Sequence, residues 1–304
     1  MNIFVLAIIT TIFEKQIKHR IVMSQFIVYT YQFSPIKNSQ TLFEESIDYD
    51  KIMNEKQTIF SNILSSEIKY QKGKRIYQHQ ILRQQDGITI LKLANNKQTR
   101  LEQDFKTNII KYGPSCNIII DNRKDIQHIL VENISTSFTD TKTVVSILKD
   151  TFNAYLKQHH LHIEIDKEFQ QSEFWNIVDA HPLEITLVRF YFKYPNLPRA
   201  LASVNELLAS TSKATNSKET ILQIKSNDSE QLELSQDNNE LNSLVKASAD
   251  SGSIITLKIK GYNKHIHTGR TSKTVEIDSI ELTAEEDIFN QAMDKVVSTL
   301  NSLK

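Results

Sequence analysis

Two histidine pairs, a pair of carboxylates and three basic stretches are the features of this 304-residue chain whose types and spacing could do chemistry. His160 and His162, and again His265 and His267, stand two apart, so on a strand each pair would project from one face and could grip a metal. Neither pair has a third ligand close by. Glu164 continues the first face, whereas lysines that repel a cation surround the second pair. No metal and no cofactor is therefore expected. Asp121, Glu132, Glu164 and Asp166 end or follow apolar runs, where nuclease-type metal ligands sit. A specific signal would place a lysine beside the second acid, one residue after the first. In Glu164-Ile165-Asp166-Lys167 the lysine comes one place late for that pattern. Solvated strand ends explain these acids more simply, and no catalytic residue is assigned. A metal-dependent nuclease using Glu164 and Asp166 stands as the alternative reading.

The distribution of cations says more. Between Asp250 and Glu276 there is no acidic residue, while Lys258, Lys260, Lys264, Arg270 and Lys273 accumulate beside Tyr262, His265 and His267. This reads as a basic ribbon of two strands joined through Gly261 to Gly269. A second acid-free stretch, Ile185 to Asn205, interleaves Arg189, Lys193 and Arg199 with Phe190, Tyr191, Phe192 and Tyr194. On a strand, Arg189, Tyr191 and Lys193 share one face and Phe190, Phe192 and Tyr194 the other. The first face has the make-up of a nucleic-acid platform, cations around an aromatic ring, and the second that of a core. Lys72, Lys74, Arg75 and Arg83 with Tyr77 form a third patch. The expected nucleic-acid contacts are Lys258, Lys260, Lys264, Arg270, Lys273, Arg189, Tyr191 and Lys193, with DNA preferred over RNA. A protein-interaction module whose patches meet an acidic partner is the remaining alternative.

Composition removes other classes. Lysine plus arginine and aspartate plus glutamate both number 36, so the whole chain exerts no net pull on a polyanion and any such binding must be local. Only six glycines occur, and none are close enough to wrap a phosphate in backbone amides, which excludes P-loop, dinucleotide and kinase-type sites. The nucleophile elbow of α/β-hydrolases is missing as well. Cys116, the one cysteine, lies in the apolar run Cys116 to Ile120 and reads as a small buried side chain, which fits a reducing cytoplasm. Ile3 to Phe13 is apolar, but eleven residues fall short of the roughly twenty that span a bilayer. No basic residue precedes the run and no small-residue cleavage site follows it, so neither a signal peptide nor a membrane partner is expected. Residues 1–22 read as an extension outside the fold.

The elements that would position these groups follow from hydrophobic period. Strands are predicted at Gln25 to Phe33, Arg75 to Leu82, Ile88 to Leu93, Asn117 to Asp121 and His128 to Val131, with one helix at Asp50 to Ser65. Asp140 or Thr141 would cap a helix over Thr143 to Leu156 that aligns Val144, Leu148, Phe152 and Tyr155. Beyond it come strands at Leu161 to Ile165, Glu184 to Phe192, Thr220 to Ile224, Ile254 to Ile259 and Val275 to Leu282. Helices are predicted around Phe174 to Ala180, after Pro198 through Leu208, at Asn239 to Ala249, and at Ala284 to Leu300 behind a Thr283/Glu286 capping box. The class is α+β, with mixed or antiparallel sheets and amphipathic helices packed on them. Two domains are expected, a mainly β one over 23–133 and an α+β one over 134–304, with the boundary near residues 133 to 141.

From Cys116 onward the order of elements is distinctive: paired apolar strands, the polar Ser135 to Asp140 turn, a long amphipathic helix, a short strand, then Phe174, Trp175 and Ile177 before His181 and Pro182. It continues through Val188, Arg189, Phe190, Tyr191, Phe192, Tyr194, Pro195, Asn196, Leu197, Pro198 and Arg199. This resembles uncharacterised bacterial proteins of defence or mobile-element contexts and is similar in layout to the RexA phage-exclusion proteins. The resemblance implies a non-enzymatic intracellular role in phage defence of the abortive-infection type, DNA binding and a companion defence protein, with no catalytic residues to carry over.

Overall fold

The computed structural model describes residues 23–36, 47–103, 106–124, 126–193, 210–211, 214–215, 217, 219–227, 230–278, 282 and 286–303. In chain order its elements are β1 (Met23–Pro35), α1 (Tyr49–Leu64), β2 (Gln71–Lys72), β3 (Arg75–Ile76), β4 (Gln78–Gln85), β5 (Ile88–Ala94), β6 (Lys97–Gln103), β7 (Lys106–Tyr112), β8 (Ser115–Asp121) and β9 (His128–Glu132). Then follow α2 (Thr141–Leu156), β10 (Leu161–Lys167), α3 (Ser172–Ala180), β11 (Ile185–Lys193), β12 (Glu219–Lys225), α4 (Asn239–Asp250), β13 (Ile255–Ile259), β14 (Ile266–His267), β15 (Thr274–Asp278) and α5 (Glu286–Ser302). This is an α+β fold built mostly on antiparallel sheets. The extension over 1–22, the helix expected after Pro198 and the Thr283 cap lie outside the described residues.

The larger sheet runs β10-β1-β9-β8-β5-β4, with β15 pairing β1 off that path. Strand alternation sends Ile27, Tyr29, Tyr31 and Phe33 of β1 to one face, where they meet Ile163 and Ile165 of β10, Ile129 and Val131 of β9, and Ile118 and Ile120 of β8. Helices α1 and α2 contribute to the same cluster. Asp140 starts α2 as expected, its carboxylate accepting the Thr143 N–H at 2.7 Å, and Phe152 then sits fully buried and edge-on to Phe60, 5.0 Å between ring centres. Phe26, Val28, Ile119 and Leu130 alternate onto the opposite face and are buried too, so the central strands are covered on both sides.

The smaller sheet, β12-β11-β13-β14, buries one face. Val188, Phe190 and Phe192 of β11 and Ile255, Leu257 and Ile259 of β13 pack with Phe174 and Trp175 of α3 and Leu241, Leu244 and Val245 of α4. The hydrophobic clusters therefore change over between Ile165 and Phe169, later in the chain than residues 133 to 141. The reason is that β10 pairs with β1 and α2 lays its apolar face on the first cluster. Gly252, just past α4, shows how closely the elements approach here. A Cβ at this position would stand 2.8 Å from both Asp166 Cβ and Lys167 O, and its φ of +66° also favours glycine.

By contact the chain divides into residues 26–275, which hold both clusters, and a second unit whose described residues are 23–25, 276–278, 282 and 286–303. In the second, Ala292, Val296 and Leu300 form a buried stripe at helical spacing on α5. No helix among the described residues is long and apolar enough to cross a membrane.

Candidate nucleic-acid interface

The face of the smaller sheet opposite its core can be read row by row from the strand register. Lys225, Leu187 and Lys258 form one row across β12, β11 and β13; Gln223, Arg189, Thr256 and His267 form the next, reaching β14. Ile221 lies beside Tyr191, and Glu219 beside Lys193. Residues paired in register share a face, so Arg189, Tyr191 and Lys258, expected from two separate stretches, are brought together, and Lys193 holds the register position that ends the row of β11. Arg189 is oriented within this surface: its Nε and Nη2 donate to Gln223 Oε1 at 3.0 and 2.7 Å, and its Nη1 donates to the Tyr191 hydroxyl at 3.3 Å. Thr256 Oγ1 and His267 Nδ1 are 2.9 Å apart. The result is a half-exposed tyrosine and an arginine held in plane, flanked by the exposed Lys225 and Lys258.

The remaining ribbon residues go elsewhere. Lys260 is exposed in the turn after β13, its N–H bonded to Glu184 O at 2.8 Å, and Lys264 is exposed further along the same connection. The expected phosphate-following loop already holds an internal anion. The backbone N–H groups of Gly269, Arg270 and Thr271 all donate to the Glu173 carboxylate at 3.0 to 3.1 Å, which anchors the loop to the first turn of α3. The Arg270 side chain is exposed beside that loop.

Lys273 departs most from the expectation. Its Nζ donates to Glu168 Oε2 and Asp250 Oδ1, each at 2.9 Å, and Glu168 has no exposed side-chain surface. Burial alone would lower the Lys273 pKa, but the two carboxylates outweigh it and raise it above 10.5. The ammonium is thus committed to an internal ion cluster. His128 Nε2 adds to it, 3.0 Å from Glu168 Oε1 but without hydrogen-bond alignment, and His128 Nδ1 has no hydrogen-bond partner among the described residues.

The other candidate groups are engaged as well. His160 adopts a left-handed φ of 53° before β10 begins, so it does not share a strand face with His162. His162 instead bonds Glu164 Oε1 at 2.9 Å, while Lys149 donates to Oε2; burial would raise the Glu164 pKa, and these partners lower it overall. Asp121 chelates the Arg123 guanidinium, and Glu132 Oε2 accepts both the backbone and side-chain N–H of Asn117. Among the described residues no group of three or more histidine, cysteine, aspartate or glutamate side chains is placed to hold a metal ion. Cys116 is buried, and that burial, helped by the charge of Glu132, pushes its thiol up to about 12. In the third patch Arg75 folds over the Tyr77 ring, 5.1 Å from its centre, and donates to Asn95 and Asn96.

Gln223, Ile221 and Lys225 carry no sequence signal that singles them out. They join the surface only because β12 pairs with β11. A larger cavity of about 630 Å³ in the other unit is walled partly by Glu276, Asp278 and Asp294, which suits a polyanion poorly. No protein-family model matches the chain, and no curated protein matches it.

Proposed function

We propose that the open face of β12-β11-β13-β14 binds nucleic acid without catalysis, with single-stranded DNA as its first ligand. The supporting observation is the register that places Arg189, Tyr191, Lys225 and Lys258 on one uninterrupted surface. Four strands at about 4.8 Å spacing give a platform on the order of 14 Å wide, on which a base can stack on Tyr191 while neighbouring phosphates meet the cations. The similarity of element order to RexA-like exclusion proteins supports phage defence inside the cytoplasm as the setting, with a companion defence protein as a second partner. Anisotropy of a labelled single-stranded oligonucleotide tests the interface. Tyr191→Ala should weaken binding by roughly 1 to 3 kcal/mol, the usual worth of one stacked base. Unchanged affinity in both Tyr191→Ala and Arg189→Gln would refute it.

A second reading has its own observation. Ile221 and Leu222 are 50% and 36% exposed on β12, an edge strand of this sheet, as at a surface that receives another protein. Binding of an acidic protein that is lost on Ile221→Ser, with no oligonucleotide binding, would favour it.

A further inference from the structure

Beyond the row of Lys225, Leu187 and Lys258, the end of the open face deepens into a cavity of about 370 Å³. Lys225 from β12, Lys258 from β13 and Lys260 from the following turn line it, with Ser226, Tyr262 and Asn263, and no carboxylate is among its lining residues. Nearby acids are turned to other partners: Glu184 Oε2 lies 3.0 Å from His181 Nδ1, and Glu230 Oε2 accepts from Asn227 Nδ2 at 2.8 Å. Three ammonium groups gathered in one concavity repel one another, and an anion between them relieves that repulsion. The backbone is approachable on the same side. Gly261 has φ +83°, and nothing lies within 4 Å of where its Cβ would stand. Tyr262, 51% exposed, is set edge-on against His181 with ring centres 5.5 Å apart.

We infer that this cavity is a phosphomonoester site. A terminal phosphate carries nearly two charges at neutral pH, against one for each internal diester, so a trio of lysines favours a strand end over a strand interior. The volume accommodates a phosphate with its attached sugar. Because the cavity continues the open face, the phosphate is that of a strand lying on β11, a step that rests on the proposed function. A free mononucleotide or inorganic phosphate offers the same chemistry.

The test uses the full chain and two probes. Oligonucleotides of one sequence, with a 5′-phosphate, a 3′-phosphate or neither, are compared by anisotropy, and inorganic phosphate is titrated with protein while its phosphorus resonance is followed. One phosphorylated end should bind about tenfold tighter than the unphosphorylated strand. That preference should vanish in Lys258→Gln/Lys260→Gln and survive in Lys157→Gln, with thermal melting showing that all three chains fold. The phosphate resonance should broaden with the parent and with Tyr191→Ala but not with the double variant. If no oligonucleotide binds yet phosphate broadens and the double variant abolishes it, the cavity stands as a site for free phosphate or mononucleotide, and the sheet-face reading falls. Equal affinity for all three oligonucleotides together with an unperturbed phosphate resonance would overturn the inference.

Discussion

The two sheets treat their faces differently. In the larger one, β8 and β9 are buried on both sides, so nearly every side chain from Cys116 to Asp121 and from His128 to Glu132 is committed to packing or to an internal bond. In the smaller one, β11 commits alternate residues to the core and leaves Arg189 and Tyr191 half-exposed between two exposed lysines. Polar groups thus carry different meanings in the two regions. Asp121, Glu132 and Glu168 in the first or at its margin are held by Arg123, Asn117 and Lys273, because a buried charge must be partnered. Arg189 in the second is positioned by neutral Gln223 and Tyr191, which leaves its charge uncompensated by any acid among those bonds. Cation count in the sequence cannot separate these cases; the partner does.

The sharpest way to break this contrast is to truncate one aromatic from each region. Phe152→Ala removes a fully buried ring packed on Phe60 and should cost roughly 3 to 5 kcal/mol in denaturant unfolding. Tyr191→Ala should cost about 1 kcal/mol or less while weakening nucleic-acid binding. Comparable stability losses would show that the smaller sheet has no open face.

Next in size is the ion cluster. Lys273→Met leaves the Glu168 carboxylate buried without its cation and should destabilise by about 3 kcal/mol. The parent lysine has a folded pKa raised above its ordinary 10.5. Its contribution is therefore complete below that value and is lost as pH rises through the raised one, so parent and variant should converge at alkaline pH. A variant that loses no stability at neutral pH, or one whose deficit persists unchanged in alkali, would place Lys273 back among the ligand-facing cations.

The smallest effect belongs to the cap of α2. Hydrogen bonds from the Thr143 backbone, then from its hydroxyl, hold the Asp140 carboxyl below the ordinary 3.8. Asp140→Ala should cost about 1 kcal/mol near neutrality, a deficit that disappears as pH falls through the lowered value. A deficit that persists unchanged through acid would show that the carboxylate is not the capping group.

Much of this fold is legible wherever one face is buried. The alternation in Phe26 to Phe33 and in Val188 to Phe192 marks strands, and the spacing of Val144, Leu148 and Phe152 marks a helix, because each pattern has a core to answer to. The β6–β7 hairpin has no such pattern. Arg100, Ile109, Ile110 and Tyr112 are all exposed in this two-stranded sheet, so neither face selects for apolar residues and the segment gives no strand signal. The interface is half legible for a related reason. Which residues of β11 point together follows from period two, but that Lys225 and Lys258 flank Leu187 depends on strand order. The partners of Lys273, 105 and 23 residues away in the chain, are likewise set by tertiary folding alone.

The central claim is that cations from three strands act as one surface, and the salt dependence of single-stranded DNA binding measures it most directly. With Arg189, Lys225 and Lys258 each neutralising one phosphate at about −0.7 per contact, log affinity should fall against log salt with a slope of roughly −2. Replacing all three with glutamine should flatten that slope and weaken binding while the thermal transition stays in place. A triple variant that keeps the parent's slope, or a parent that fails to bind at low salt, would contradict the account.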